Sequence, residues 1–241
     1  MPERHRDAAW LMATPLLPWL GLLPGVGAWV LPFVAPLTVW LPFRRAVRQE
    51  RSSAAFAIAL LWALLLSAGI VTMVQCAPQR AAQAILHGEP YRAEMFAWIQ
   101  TGAGAEVDPH RFLPVHALHL TAFLLVSVAS GGYLGLVLGA GLVGFMSYFV
   151  GSFAAASASP FGGALVAWVP WSVVRVLSFV LLGVLAARPV LLRRRWPFGA
   201  TEIRLGLLAL AGLVVDVASK WLLAPGYGRF LRLWIEGSAG P

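Results

Sequence analysis

AAFAIALLWALLLSAGIVTMVQC, residues 54–76, carries no charged side chain from end to end. A helix needs about 20 apolar residues to cross a bilayer, so this stretch is read as a membrane span. The same criterion picks out 113–132, joined closely to 133–156, then 163–187 and 203–224. Of the 241 residues, 59% are hydrophobic and 12% charged, about half the charge content of an ordinary soluble domain. The expected fold class is therefore all-α: a polytopic transmembrane helical bundle forming a single membrane domain.

The N-terminal region 9–43 is too long for one ordinary span and too short for two. It contains Pro15, Pro18, Pro24, Pro32, Pro36 and Pro42, and each proline inside a helix removes a backbone donor and favours a kink. LPGVG at 23–27 has turn composition, so a short helical hairpin is expected, with one kinked span as the alternative. Arg4 and Arg6 precede this region as they would in a signal peptide, but prolines interrupt the apolar run and no small-x-small cleavage site follows. The region is expected to stay in the mature chain.

The formal charge of +8 raises nucleic acid as a partner, but the arginines cluster between spans, where cytoplasmic-loop charge explains them more simply. Arg44, Arg45, Arg48 and Arg51 fall in loop 44–53, and Arg188, Arg193, Arg194 and Arg195 in loop 188–202. Short basic loops face the cytoplasm, and the four spans between these two bring the chain back to the same side. Loop 77–112 is then extracytoplasmic, and an inner-membrane location is expected. Within it, EPYRAEMFAWIQTG at 89–102 puts Tyr91, Met95, Trp98 and Ile99 on one face of a short helix, expected to lie along the outer membrane surface. The tail 225–241 has a similar amphipathic pattern. Trp40, Trp168, Trp171, Trp196 and Trp221 fall near span ends, where indole rings favour the interface.

Every fourth residue from 131 gives Gly131, Gly135, Gly139, Val143, Ser147, Gly151 and Ala155. Small side chains in such a row let another helix approach closely in lipid, either within the bundle or in a homo-oligomer or partner subunit. Arg175 lies near the centre of its span, where an unpaired charge costs about 3 kcal/mol or more. The acidic residue well inside another span is Asp216, with Lys220 one turn on, so an Arg175–Asp216 pair is expected. Such a pair serves either to fix helix register or to form a polar path or substrate-anion site.

His116 and His119 share a helix face, and His110 sits in its first turn. With Asp108 and Glu106 nearby, and His87 and Glu94 in the same loop, they form a candidate divalent-metal site, though the spacing matches no established motif. Two histidines on one face cannot grip a haem from both sides. The single cysteine, Cys76, excludes an internal disulfide or a CxxC motif. No GxSxG or Walker-type motif is present.

LPFVAPLTVWLPFRRAVRQERSSAAFAIALLW, residues 31–62, resembles the core of a family of small bacterial hairpin membrane proteins in which Pro-Leu-x-x-Trp-Leu precedes a charged loop and an Ala-Phe or Asn-Phe helix start. Ala55 stands where that family has asparagine, and the likeness covers about the first quarter of the chain. It implies a hairpin-like start and no activity. VDVASKWLL at 215–223 resembles the first Asp-containing motif of lipoprotein signal peptidase, but the second aspartate and the Asn-containing motif do not follow. The expected function is a non-enzymatic scaffold, assembly or transport-associated subunit, with the bilayer and other membrane subunits or further copies as partners, and neither nucleic acid nor a resident cofactor. The alternatives are a metal- or haem-handling protein using His110, His116 and His119, and a small-solute or ion transporter with Arg175 and Asp216 in the path.

Overall fold

A computed structural model describes residues 8–237; Arg4 and Arg6 lie outside the described residues. Among the described residues the regular structure is all helical, without strands. A 3-10 segment, Thr14–Leu22, is followed by α1 (Val30–Val34), α2 (Leu37–Arg48), α3 (Ser52–Cys76), α4 (Pro78–Ala84) and α5 (Gly88–Thr101). Next come α6 (Pro109–Ser130), α7 (Tyr133–Ala155), α8 (Pro160–Ala167), α9 (Pro170–Leu192) and α10 (Ala200–Glu236). Among the described residues, six stretches are long and apolar enough to cross a membrane: Val30–Arg48, α3, α6, α7, α9 and α10. The protein is a multi-pass helical membrane bundle.

The proline-rich start forms two arms separated by a turn between Leu22 and Val30, the second bent at Ala35–Pro36. That bend leaves the Ala35 carbonyl outside the regular ladder, and both Trp62 Nε1 and Thr38 Oγ1 donate to it at 3.0 Å. The hydroxyls of Thr14 and Thr38, 2.9 Å apart, tie the arms together. The first arm seats on Gly69 of α3, where any β-carbon would stand 2.3 Å from the Pro15 carbonyl oxygen. Only glycine permits that approach.

Element boundaries move where caps and prolines act. α6 starts at Pro109 rather than 113 because the Asp108 carboxylate accepts from the His110 backbone N–H at 2.9 Å. The span expected at 163–187 is divided: α8 ends before Trp168, and Pro170 opens α9. The expected separate tail is a correction, since α10 runs unbroken through Pro225 to Glu236. Its last turns are held by protein contacts: Leu231 is fully buried and Arg232 Nε donates to the Ile99 carbonyl at 2.9 Å.

The helix 88–101 also sits differently from the expectation of a surface-lying element. Met95, Trp98 and Ile99 are buried against Phe149 and Phe153 of α7 and Trp171 of α9, so its apolar face is covered by the bundle. Trp171, expected at the interface, belongs to this buried cluster, while Trp196 and Trp221 are exposed. A second apolar cluster joins the N-terminal arms, α3, the middle of α7 and the inner end of α9.

Both arginine-rich connectors lie at one end of the bundle, joined by Arg194 to Glu50 at 2.9 Å and by Ser52 to Glu202 at 2.9 Å. Arg188 is no free loop charge. It is 2% exposed, donates to the Pro197 carbonyl from Nε and Nη2 and to Ser52 Oγ from Nη1, and stands 3.5 Å from Glu202. Five N–H groups fixed in a plane suit it to bind three segments at once.

Candidate functional site

At the opposite end, α6, α9, α10 and the loop before α6 converge on two ion pairs. Arg175 donates from Nε and Nη2 to the two carboxylate oxygens of Asp216, both at 2.9 Å, a bidentate arrangement that fixes the guanidinium plane. α9 and α10 are antiparallel neighbours, which brings positions 41 residues apart to the same depth. Lys220, placed one turn beyond Asp216, turns instead to Glu106, with Nζ 2.8 Å from Oε1. The other Glu106 oxygen accepts from Trp171 Nε1 at 3.1 Å. The Lys220 ammonium also lies 4.6 Å from the centre of the Phe112 ring, a cation–π contact strengthened by exclusion of water.

Lys220 and Asp216 are each 2% exposed. Two such charges persist in an apolar bundle only because each meets an opposite charge with its hydrogen bonds made. The Glu106–Lys220 contact spans 114 residues and joins a loop to a helix, so neither periodicity nor spacing announces it.

The histidines divide. His116 and His119 face the interior beside these pairs, whereas His110 is exposed and contributes its backbone N–H to the Asp108 cap. His116 Nδ1 is 3.9 Å from Asp216 Oδ2, and this buried nitrogen has no hydrogen-bond partner. Asp108 is occupied as a helix cap, and among the described residues no three His, Cys, Asp or Glu side chains gather as a metal site. The four residues expected to bind a metal are therefore not brought together.

A cavity of about 240 Å³ opens beside the ion pairs between α6, α7 and α9. Its polar end is walled by Glu94, Glu106, Arg111, His116, Arg175 and Lys220, with His119 just beyond. The remainder is apolar, lined by Trp62 and Phe43 from the N-terminal half, Leu136 of α7 and Val180 of α9.

The small-residue row of α7 serves several purposes. Gly131 caps α6 with φ +63°. A β-carbon at Gly135 would stand 2.0 Å from Ser127 Oγ on α6, and one at Gly151 would stand 2.8 Å from Val74 on α3. These two are close-packing positions within the chain. Gly139 differs, because a β-carbon there would meet nothing within 4 Å and the residue lines the cavity. Ser147 is buried with its hydroxyl unpartnered, and Ala155 is exposed at the helix end.

In α5, outside the membrane-spanning helices, Glu89 Oε2 accepts from Arg92 Nε at 2.9 Å and from the hydroxyl of Tyr148 of α7 at 2.9 Å. The arginine hydrogen bond holds the Glu89 carboxyl below its ordinary titration range, against a smaller opposing effect of burial.

Fold and site together define a multi-pass membrane protein with a partly open cavity bounded at one end by ion pairs. Comparison with protein families, curated proteins and solved structures finds no match.

Proposed function

We propose that the protein is a non-enzymatic, transport-associated membrane subunit that takes a small ligand into the bundle. What carries this reading is the shared wall: the cavity between α6, α7 and α9 is bounded at one end by Arg175 and Lys220, each already neutralised by a carboxylate. Ligand sites are mostly apolar recesses with a few convergent polar groups, and an ionisable residue within a membrane span marks a site or path by default. The unpartnered Nδ1 of His116 adds a polar group at this end without a structural bond to make.

The orientation belongs to the same proposal. Both arginine-rich connectors lie at one end; short basic connectors favour the cytoplasmic side of an inner membrane, and on that orientation the polar end of the cavity faces outward. A reporter fused after residue 102 is expected to be active only outside the cytoplasm; cytoplasmic activity there would reverse the orientation.

Access to the cavity is tested with a cysteine at Gly139 in a Cys76→Ser background, which removes the exposed native thiol. N-Ethylmaleimide added to vesicles is expected to label Gly139→Cys. Failure to label a folded Gly139→Cys protein would overturn the ligand-site assignment.

A further inference from the structure

The proportions of the cavity constrain its occupant. On α6 its lining runs from Arg111 to Ser127, which at 1.5 Å per residue is about 24 Å, most of the thickness of a hydrocarbon core. The volume of about 240 Å³ exceeds the about 150 Å³ that accommodates benzene in an engineered apolar cavity, yet lies below the about 300 Å³ at which ordinary ligand pockets begin. Spread over such a length, that volume describes a narrow, partly open tube with room for one slender chain. Gly139 keeps it open, since a β-carbon there would meet nothing within 4 Å, while Gly132, Gly135 and Gly183 also line its wall.

The tube is chemically polarised. Its deep part is apolar and aromatic, with Phe43, Trp62, Phe123 and Phe179 on the wall. At the polar end, Arg175 spends two of its five N–H donors on Asp216, and Lys220 spends one of its three on Glu106. The hydrogen-bonding capacity left over on buried Lys220 and partly buried Arg175 is therefore all donor. Arg111 adds further donors at the mouth, offset in charge by Glu94. A group that satisfies such a wall is rich in acceptor oxygens, and carboxylate or phosphate oxygens bind arginine best.

We infer that the ligand is a single-chain amphiphile with an anionic oxygen head, a carboxylate or a phosphate monoester, whose head docks at Arg175, Lys220 and Arg111 and whose chain runs past Gly139 toward Gly132. This assignment rests on the ligand-site reading above and specifies its substrate class. No covalent step is involved; the ligand enters and leaves unchanged.

The test uses the full chain in phosphatidylcholine nanodiscs and a palmitate bearing a photoreactive diazirine at the end of its chain. Light is expected to attach the probe to peptides carrying residues 132–143 or 179–184. Unlabelled palmitate and dodecyl phosphate are expected to compete. Hexadecylamine, with a similar chain and a cationic head, is not, nor is inorganic phosphate, which offers the head alone. Gly139→Leu fills the tube and is expected to lower competable labelling at least about tenfold. Gly141→Leu is the control, since that glycine also has free space around it but lies off the cavity wall.

Equal competition by the amine would reduce the site to a greasy crevice and overturn the head assignment. Competition by inorganic phosphate alone would make the ligand a free anion and overturn the amphiphile. If Gly139→Cys reacts with maleimide while no competable labelling occurs, the amphiphile assignment falls and the ligand site stands; if Gly139→Cys is inert, both fall.

Discussion

Glu106→Gln isolates the charge of one buried pair while changing its shape little. In the structure Glu106 Oε1 stands 2.8 Å from Lys220 Nζ, so the gross attraction at an effective dielectric of 20 is about 6 kcal/mol. The glutamine oxygen keeps an acceptor for only one of Lys220 and Trp171 while its NH2 group faces the other donor, and neutral acceptors are about half as strong as charged ones. The expected loss is therefore about 3 kcal/mol, at the lower edge of the range for breaking a buried pair by removing one partner. For a chain of this size that lowers the apparent Tm by about 6–12 °C. The measurement is tryptophan-monitored melting in detergent at a fixed scan rate, because membrane proteins often unfold irreversibly. Lys220→Met added to Glu106→Gln removes the orphaned ammonium and is expected to recover at least half of the loss. A Glu106→Gln protein melting within about 2 °C of the wild type, or a double variant no more stable than the single one, would refute the view that Lys220 depends on Glu106.

Asp216→Asn keeps one acceptor for Arg175, whereas Asp216→Leu leaves the guanidinium facing an apolar wall; the leucine variant is expected to melt lower by at least about 2 kcal/mol equivalent, and equal melting of the two would show that the pair does not hold the helices. Gly135→Leu drives its side chain into Ser127 and is expected to lower the yield of folded protein, measured by size-exclusion chromatography, while Gly139→Leu leaves it unchanged. Glu89 titrates below its ordinary range in the folded state, so its contribution to stability is full above that range and lost as pH falls through the depressed value. Because its side chain is 47% exposed, the effect is small and screened. The melting difference between wild type and Glu89→Gln is expected at pH 7 and should shrink on acidification; a difference that does not change as pH falls would assign it to something other than charge.

The large features were legible because they are one-dimensional. Apolar length marks helices such as 54–76 whatever their neighbours, and the cost of an unpaired Arg175 in lipid points toward Asp216, the acid within the adjacent antiparallel span. The loop carboxylate was not legible in the same way: Glu106 lies in a polar stretch where most acids are solvated, and only the approach of the loop to α10 marks it as the partner of Lys220. Gly139 shows a related limit. A four-residue repeat places glycines on one stripe, but whether each meets a helix or an empty space depends on what lies opposite, and α6 diverges from α7 between Gly135 and Gly139. Arg188 shows the converse: counted among loop charges for orientation, it is largely neutralised inside the bundle by Glu202 and Glu50.

Synthesis runs from the N-terminus, and two charged groups laid down earlier find their counterparts only in α10: Arg175 in Asp216 and Glu106 in Lys220. Until α10 arrives, a nascent chain holds these groups in or beside lipid without compensation. A truncated product is thus marked as incomplete by its own electrostatics, exposed to whatever machinery surveys unassembled membrane segments for stranded charge.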